Sequence, residues 1–262
     1  MIQNNIKRKV TLLVFFFISL IAFKSFGAEK NYIMVFAPAS LKDSLTEVLV
    51  LFQKETNIKT KEVYLGTAQL AQQIKNGASP DFFISANIEW MEHLEQRELI
   101  LKDYTFILLS NSLVAITNNE NYKKKGSQFF KSVKNTFLNT KTRISLAMVD
   151  AVPAGIYAKE FFRNIGIWNM IKFNVANSPN VRAALSFVSR GDLEYGVVYK
   201  SDAIVDKKVK IIYELDSSLH TKVQYPLTIL NKKKNTLLLY NFLKEKKAME
   251  IFKKWGFVIT HD

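Results

Sequence analysis

The chain has 262 residues, 48% of them hydrophobic, and a formal net charge of +14 at pH 7. It contains no cysteine, which excludes disulfide bonds, thiol nucleophiles and thiolate metal sites. Only His93, His220 and His261 could supply an imidazole, so zinc chemistry and a Ser-His-Asp triad have little support.

The first 27 residues have the pattern of a cleaved export signal. Basic residues at 7–9 precede an apolar run over 10–23, and small residues follow at Ser25, Gly27 and Ala28. The run is shorter than the roughly 20 residues that a membrane-spanning helix needs. We therefore predict a signal peptide over 1–27 and release of the mature chain into the periplasm. A lipid anchor is not expected, because no cysteine follows the signal.

The predicted mature chain stays basic. Removing residues 1–27 takes away four basic residues and no acid, which lowers the net charge from +14 to about +10. Such a charge could attract anions or nucleic acid. Lysine runs such as 123–125 and 232–234 lie in predicted loops, without the interleaved aromatic residues of a nucleic-acid-binding face. This pattern favours a lysine-rich solvated surface, and no nucleic-acid partner is predicted.

From Tyr32 onward, short β-branched or aromatic runs alternate with amphipathic stretches, as they do in parallel βαβ units. The predicted strands are 32–37, 62–65, 82–85, 112–117, 144–148, 195–199 and 210–214, followed by an extended run at 223–230. This alternation predicts an α/β fold.

Four predicted helices begin directly after strands. Apolar residues recur at helical spacing over 41–54 and predict a helix with Ser40 as its N-cap. Thr67, Pro153 and the pair Pro179-Asn180 precede similar patterns. Two further helical patterns lie at 235–246 and 247–255.

The segment 118–142 breaks the alternation, because it is rich in lysine and asparagine and has few apolar residues. We predict that the chain crosses to a second lobe near Ser110 and returns through the run at 223–230. The predicted division is 28–110 with 223–262 as lobe I and 111–222 as lobe II.

Helix N-termini that follow parallel strands can form an anion site. Their first amide N–H groups have no partner within the helix, and the helix dipole is positive there. Ser40 and Thr67 could each add a hydroxyl donor at such a position. Taken singly, each residue is better explained as an ordinary helix cap. Only their joint position at the carboxyl ends of strands favours a binding site.

Several segments have a distinctive sequence, above all Val-Pro-Ala-Gly-Ile-Tyr-Ala-Lys at 152–159. The others are Phe-Ala-Pro-Ala-Ser-Leu at 36–41, Pro-Asp-Phe-Phe-Ile-Ser-Ala at 80–86, Asn-Val-Arg-Ala-Ala-Leu at 180–185, Gly-Val-Val-Tyr-Lys-Ser-Asp-Ala at 196–203 and the ending at 248–257. In this order they cover almost the whole mature chain. Together they resemble the periplasmic substrate-binding protein of molybdate ABC transporters, a type II periplasmic binding protein.

The resemblance implies a two-lobed type II periplasmic binding protein fold, with a mainly parallel sheet flanked by helices in each lobe and two chain crossings at a hinge. It places the ligand positions of the family on Ser40, Thr67, Ala154, Val181 and Tyr199. Ala154 and Val181 would act through backbone N–H groups, and the other three through hydroxyls. The family usually has serine where this chain has Thr67, which keeps the donor and adds a methyl group.

The implied site has donors and no carboxylate acceptor. Molybdate and sulfate are fully deprotonated dianions at neutral pH, so donors alone can satisfy all their oxygens, whereas hydrogen phosphate needs an acceptor. Amide and hydroxyl groups can bind such an anion without an arginine or lysine. The sequence therefore predicts no cation ligand, because molybdenum would be bound as its oxyanion.

The predicted function is capture of molybdate, and of tungstate, by a monomer that closes around the anion and delivers it to the membrane permease of an ABC importer. No other cofactor is expected. The alternative within this class is another tetrahedral oxyanion such as sulfate. An enzyme on the same fold is opposed by the lack of cysteine, histidine or paired carboxylates among the site residues. A nucleic-acid-binding module conflicts with the export signal.

Overall fold

The computed structural model describes residues 32–119, 122 and 142–259. The predicted signal peptide and most of the segment 118–142 lie outside these residues. Across the part that is described, no helix combines the length and apolar character needed to cross a membrane.

The first sheet is built from the beginning of the described chain and from one late strand. Its elements are β1 (Tyr32–Pro38), a 3-10 turn (Ala39–Leu41), α1 (Lys42–Thr56), β2 (Lys59–Leu65), α2 (Thr67–Lys75), β3 (Phe82–Ile84), α3 (Ile88–Glu95), a second 3-10 turn (Lys102–Tyr104), β4 (Phe106–Asn111) and β10 (Val223–Ile229). The strand order is β2-β1-β3-β10-β4. β1 is parallel to β2 and β3, and β10 alone runs against its neighbours.

The second sheet takes the intervening chain. Its elements are β5 (Leu113–Thr117), β6 (Ile144–Ala147), α4 (Pro153–Asn164), α5 (Trp168–Ile171), a 3-10 turn (Lys172–Asn174), β7 (Val175–Ser178), α6 (Val181–Ser189), β8 (Tyr195–Tyr199), α7 (Lys200–Val205) and β9 (Lys210–Glu214). The order β7-β6-β8-β5-β9 repeats the pattern of the first sheet, and β5 is its antiparallel strand. Helices α8 (Lys234–Phe242) and α9 (Lys246–Lys254) follow β10.

The chain passes between the sheets twice, at Ser112 and between Glu214 and Val223. We call the first sheet with its helices the first half, and the second sheet with its helices the second half. Helices α8 and α9 belong to the first half, because they pack against α1. The prediction of an α/β chain with two mainly parallel sheets flanked by helices, joined by two crossings, is confirmed. The finer boundaries of the two predicted lobes stay a prediction.

All the predicted strands are present, with ends that shift by a few residues, but β4 and β7 were missed. β4 and β5 form one nearly continuous apolar run interrupted only by Ser110, Asn111 and Ser112, so the passage from one sheet to the other leaves little mark in the sequence. β7 is a polar edge strand of four residues, which has no apolar alternation to reveal it.

Pro226 lies in a central strand of the first sheet, with a neighbouring strand on each side. The register between β10 and β4 shifts between Tyr225 and Pro226, which forms a bulge. A bulge accommodates proline within a sheet, because the proline has no N–H to donate to the ladder.

The predicted apolar stripe of α1 is fully buried against the first sheet. Leu45, Val48 and Phe52 each have no measurable exposure. The Phe52 ring meets Phe242 of α8 edge to face, with centroids 5.2 Å apart. Burial of side chains of this size contributes about 1.5–3 kcal/mol each, so the stripe holds α1 firmly in place. The start of α1 is thereby fixed relative to the end of β1.

Candidate functional site

The five predicted ligand positions, Ser40, Thr67, Ala154, Val181 and Tyr199, line one pocket between the two halves. The remaining lining residues are Pro38, Ala39, Leu65, Gly66 and Ala86 from the first half and Val152 and Pro153 from the second. The cavity among these residues has a volume of about 10 Å³, far below the roughly 300–1,000 Å³ of ordinary small-molecule sites. Its size favours a ligand of few atoms.

Each of the five positions stands at the start of a helix that follows a strand. Ser40 lies in the turn before α1, Thr67 is the first residue of α2, Ala154 the second of α4, Val181 the first of α6, and Tyr199 precedes α7. Amide N–H groups in the first turn of a helix have no acceptor within it, and the dipole favours an anion there. The fold therefore brings the N-termini of several helices, with their unpaired N–H donors, to one pocket.

Ser40 is held by a relay of hydrogen bonds. Its Oγ lies 3.0 Å from Tyr225 Oη, and Asn111 Nδ2 donates to the same phenol oxygen over 3.4 Å. Burial raises the pKa of Tyr225, so the phenol keeps its proton at neutral pH. Since the amide nitrogen of Asn111 can only donate, the Tyr225 hydroxyl is free to donate its own hydrogen bond to Ser40 Oγ. This direction leaves the Ser40 hydroxyl proton available to the pocket.

Thr67 is oriented by the end of β3. Its Oγ1 accepts a hydrogen bond from the backbone N–H of Ala86 over 3.1 Å. The hydroxyl oxygen is thereby occupied on one side, and its proton remains available to donate. Ala86 was not among the predicted site residues, although it follows a strand that ends at the same edge.

Neither hydroxyl caps its helix, which corrects the predicted N-cap role of Ser40 and the similar interpretation of Thr67. Leu41 precedes α1 without a side-chain cap, since Ser40 lies one residue earlier in a 3-10 turn. Gly66 is the N-cap of α2, and its N–H donates to Gln69 Oε1 over 3.2 Å. Both hydroxyls are buried and bonded to other parts of the first half instead.

Tyr199 places a buried hydroxyl beside the pocket. Its side chain is 1% exposed, and its hydroxyl has no hydrogen-bond partner among the described residues. Burial raises the pKa of Tyr199 well above its ordinary value, so the phenol is a donor at neutral pH. A buried donor without a partner costs about 1–3 kcal/mol. An acceptor bound in the pocket would remove that cost.

Local sequence fixes the two helices that would donate backbone N–H groups. Pro153 starts α4, where its missing N–H is harmless. A Cβ on Gly155 would lie 2.6 Å from the carbonyl oxygen of Met148 and closer still to that of Ala147, so only glycine lets α4 pack this close to the end of β6. Asn180 caps α6, its Oδ1 accepting from Ala183 N over 2.9 Å, and this leaves the N–H of Val181 unused by the cap.

The charged residues near the site are paired outside the pocket lining. Arg182 forms ion pairs with Asp43, at 2.6 Å, and with Asp202, at 2.5 Å. Asp81, which precedes β3, accepts from Met34 N and from Asn231 Nδ2, both over 2.7 Å. No charged side chain of the described residues lines the pocket, which is therefore a set of neutral donors.

Comparison with known proteins agrees with this architecture. Residues 33–258 match the family of bacterial extracellular solute-binding proteins. Molybdate-binding protein ModA of Escherichia coli (strain K12) is 34% identical over 234 residues, which are 88% of this chain and 91% of that protein. The substrate binding domain of a putative molybdenum ABC transporter from Clostridium difficile is 27% identical, with a TM-score of 0.66 over 88% of this chain and 99% of that one.

A further solved structure, the periplasmic molybdate-binding protein of Azotobacter vinelandii, matches with a TM-score of 0.78 over 87% of this chain and 100% of that one. At 18% identity this likeness shows the fold alone. It confirms the predicted two-lobed periplasmic binding protein fold.

The chain belongs to the bacterial extracellular solute-binding protein family. The predicted resemblance to molybdate-binding proteins of ABC transporters is confirmed by the relatives. Because the family and these relatives are solute-binding proteins, the prediction that the chain is not an enzyme is confirmed as well.

Proposed function

We propose that this chain binds molybdate, and also tungstate, in the pocket between its two halves and delivers it to the membrane permease of an ABC importer. The observation that carries the proposal is the phenol of Tyr199, which is buried beside the pocket with no partner among the described residues. Ser40, Thr67, Ala154 and Val181 line the same pocket, where the first two would donate through hydroxyls and the last two through backbone N–H groups. The name of the Escherichia coli relative supports molybdate as the ligand.

The chemistry of the donors supports a fully deprotonated dianion. Each oxygen of molybdate can accept hydrogen bonds, and none carries a proton that needs an acceptor. Hydrogen bonds from neutral groups to an anion contribute about 1.5–3 kcal/mol each, so a few of them suffice for tight binding. Monohydrogen phosphate would place a hydroxyl against a pocket without a carboxylate.

The proposal includes a route to the periplasm. Cleavage of the signal over 1–27 would release the mature chain, and the absence of cysteine leaves no residue for lipid attachment there. We propose that the mature protein acts as a monomer and that residues 28–110 with 223–262 and residues 111–222 are its lobes. Closure of the lobes about the crossings at Ser112 and 215–222 would bury the anion and signal its presence to the permease.

Calorimetric titration of the purified mature chain with molybdate, tungstate, sulfate and phosphate tests the ligand. We expect molybdate and tungstate to bind with a stoichiometry of one and phosphate to give no heat of binding. Molybdate at about a hundred times its Kd should also raise the unfolding free energy by about 2.7 kcal/mol. If molybdate did not raise the unfolding temperature, it would be excluded as the ligand. Tighter binding of sulfate than of molybdate would support the sulfate alternative.

The export step has its own test. Expression of the full chain in a Gram-negative host should yield a periplasmic protein whose first residue is Ala28. Retention in the membrane fraction, or a mature protein with an intact N-terminus, would contradict this part of the proposal.

A further inference from the structure

An ion-pair bridge joins the two halves at the rim of the pocket. Arg182 Nη2 lies 2.6 Å from Asp43 Oδ2, and Arg182 Nε lies 2.5 Å from Asp202 Oδ1. Asp43 belongs to the first half, whereas Arg182 and Asp202 belong to the second. The Arg182 side chain is 24% exposed and Asp202 is fully buried, so water screens the bridge only in part.

Each member of the bridge is next to a proposed donor. Asp43 is in the first turn of α1, after Ser40; Arg182 follows Val181 in α6; and Asp202 is in the first turn of α7, after Tyr199. The bridge therefore ties together three of the helix starts that line the pocket, from both halves. None of its three members lines the pocket itself.

We infer that Arg182 is a positioning residue, which fastens the two halves in the closed arrangement through Asp43 and thereby sets how tightly the oxyanion is held. This inference rests on the proposed function. With two carboxylates and one guanidinium, the bridge has a net charge of −1, so it does not attract a dianion. Its contribution comes from holding Ser40, Val181 and Tyr199 at binding distance from one another.

The inference can be tested with Asp43→Asn, because the charge of Asp43 and its contact with Arg182 have opposite effects on the affinity for a dianion. If Asp43 were only a negative charge near the pocket, its neutralisation would strengthen binding of a dianion. Loss of a fastening contact instead weakens binding. We expect the Kd for molybdate to rise on the order of tenfold, mainly through faster release, because changes in affinity at one interface lie mostly in the dissociation rate.

Glu47→Gln is the matched control. Glu47 lies on the same helix, has the same 35% side-chain exposure as Asp43, and also forms an ion pair, with Lys254 at 2.7 Å. That pair stays within the first half. Its loss removes the same charge from α1 without touching the bridge, so the Kd should stay within about twofold of the wild-type value.

Closure can be measured separately from affinity, because the chain has no native cysteine to compete for labels. Spin labels on Val50→Cys in the first half and Phe173→Cys in the second would report the distance between the halves, since both side chains are exposed. With molybdate present below saturation, Asp43→Asn should show a smaller closed population than the wild type. Without ligand, the distances between the two labels in Asp43→Asn should be at least as long as those in the wild type.

The outcomes separate the two proposals. A wild-type chain that binds none of the oxyanions contradicts the proposed function, and the ligand-free distances then still test the bridge. A wild-type chain that binds molybdate, with Asp43→Asn binding as tightly or more tightly, overturns the bridge alone. Equal weakening by Glu47→Gln would also overturn it, because the effect would then follow any change on α1 and not the contact between the halves.

Discussion

The two halves of the molecule present donors to the same pocket by different means. The proposed donors of the first half are side-chain hydroxyls, Ser40 and Thr67, each held by a hydrogen bond to a group behind it. The proposed donors of the second half are the phenol of Tyr199 and the backbone N–H groups of Ala154 and Val181, whose positions depend on the placement of whole helices. The orientation of a hydroxyl donor thus depends on one neighbouring group, whereas the position of a backbone donor depends on how its helix packs against the sheet.

The largest expected effect comes from disturbing a backbone donor. Gly155→Ala would place a methyl group against the carbonyl oxygens of Ala147 and Met148, which are backbone atoms that cannot rotate away. We expect the unfolding free energy to fall by roughly 3 kcal/mol, the upper range for overpacking, and molybdate binding to weaken more than a hundredfold as α4 shifts. Urea unfolding and titration would measure the two effects.

Ala158→Gly, a cavity-forming change on the same helix, is the control for stability. It should lower the unfolding free energy while leaving the N-terminus of α4 in place and the Kd nearly unchanged. If Gly155→Ala bound molybdate as well as Ala158→Gly does, the dependence of the backbone donors on helix placement would be refuted.

Removing a hydroxyl of the first half should affect both binding and stability. Ser40→Ala deletes a donor and also leaves Tyr225 Oη without the partner at 3.0 Å. We expect binding to weaken by about 1.5–3 kcal/mol and the unliganded chain to lose about 1 kcal/mol of unfolding free energy. Calorimetry with and without molybdate would show both losses. Unchanged affinity would exclude Ser40 from the site.

Tyr199 sharpens the comparison, because it is the one proposed side-chain donor of the second half. Tyr199→Phe should weaken binding by about 1.5–3 kcal/mol, as for Ser40→Ala. The unliganded protein should be as stable as the wild type or slightly more stable, since the lost hydroxyl had no partner among the described residues. A clear loss of unliganded stability would show that the phenol is bonded within the protein and is not reserved for a ligand.

Local sequence predicted where helices start in this pocket, because parallel strands bring their carboxyl ends to one edge and Thr67, Pro153 and Asn180 mark helix starts there. The choice of Ala154, Val181 and Tyr199 as ligand positions came instead from the resemblance to a known family. The partners behind the donors could not be predicted in this way. Tyr225 reaches Ser40 from a strand 185 residues away in sequence, and Asn111 joins them from the crossing between the sheets. Such contacts depend on the register of a long-range antiparallel pair, which no local pattern encodes.

The contacts of Arg182 could not be predicted for the same reason. In the sequence it only follows a helix start, whereas the structure pairs it with Asp43, from the other half, and with the buried Asp202. Both partners are short carboxylates in the first turns of other helices, where an acidic residue is ordinarily explained by the helix dipole.

The smallest expected effect is the pH dependence of the unfolding free energy that Asp202, in the second half, produces. Burial raises the pKa of Asp202 from its ordinary 3.8 to about 6, although the Arg182 guanidinium acts to lower it. Because the folded state holds this proton at a higher pH than the unfolded state, the Asp202 contribution to stability is greatest below pH 3.8 and falls as the pH rises through 6. Compared with Asp202→Asn, the wild type should gain about 0.7 kcal/mol of unfolding free energy between pH 6.5 and 5.5. Parallel urea titrations at the two pH values would measure this difference, and a change of the opposite sign would mean that the ion pair with Arg182 outweighs the burial of the carboxylate.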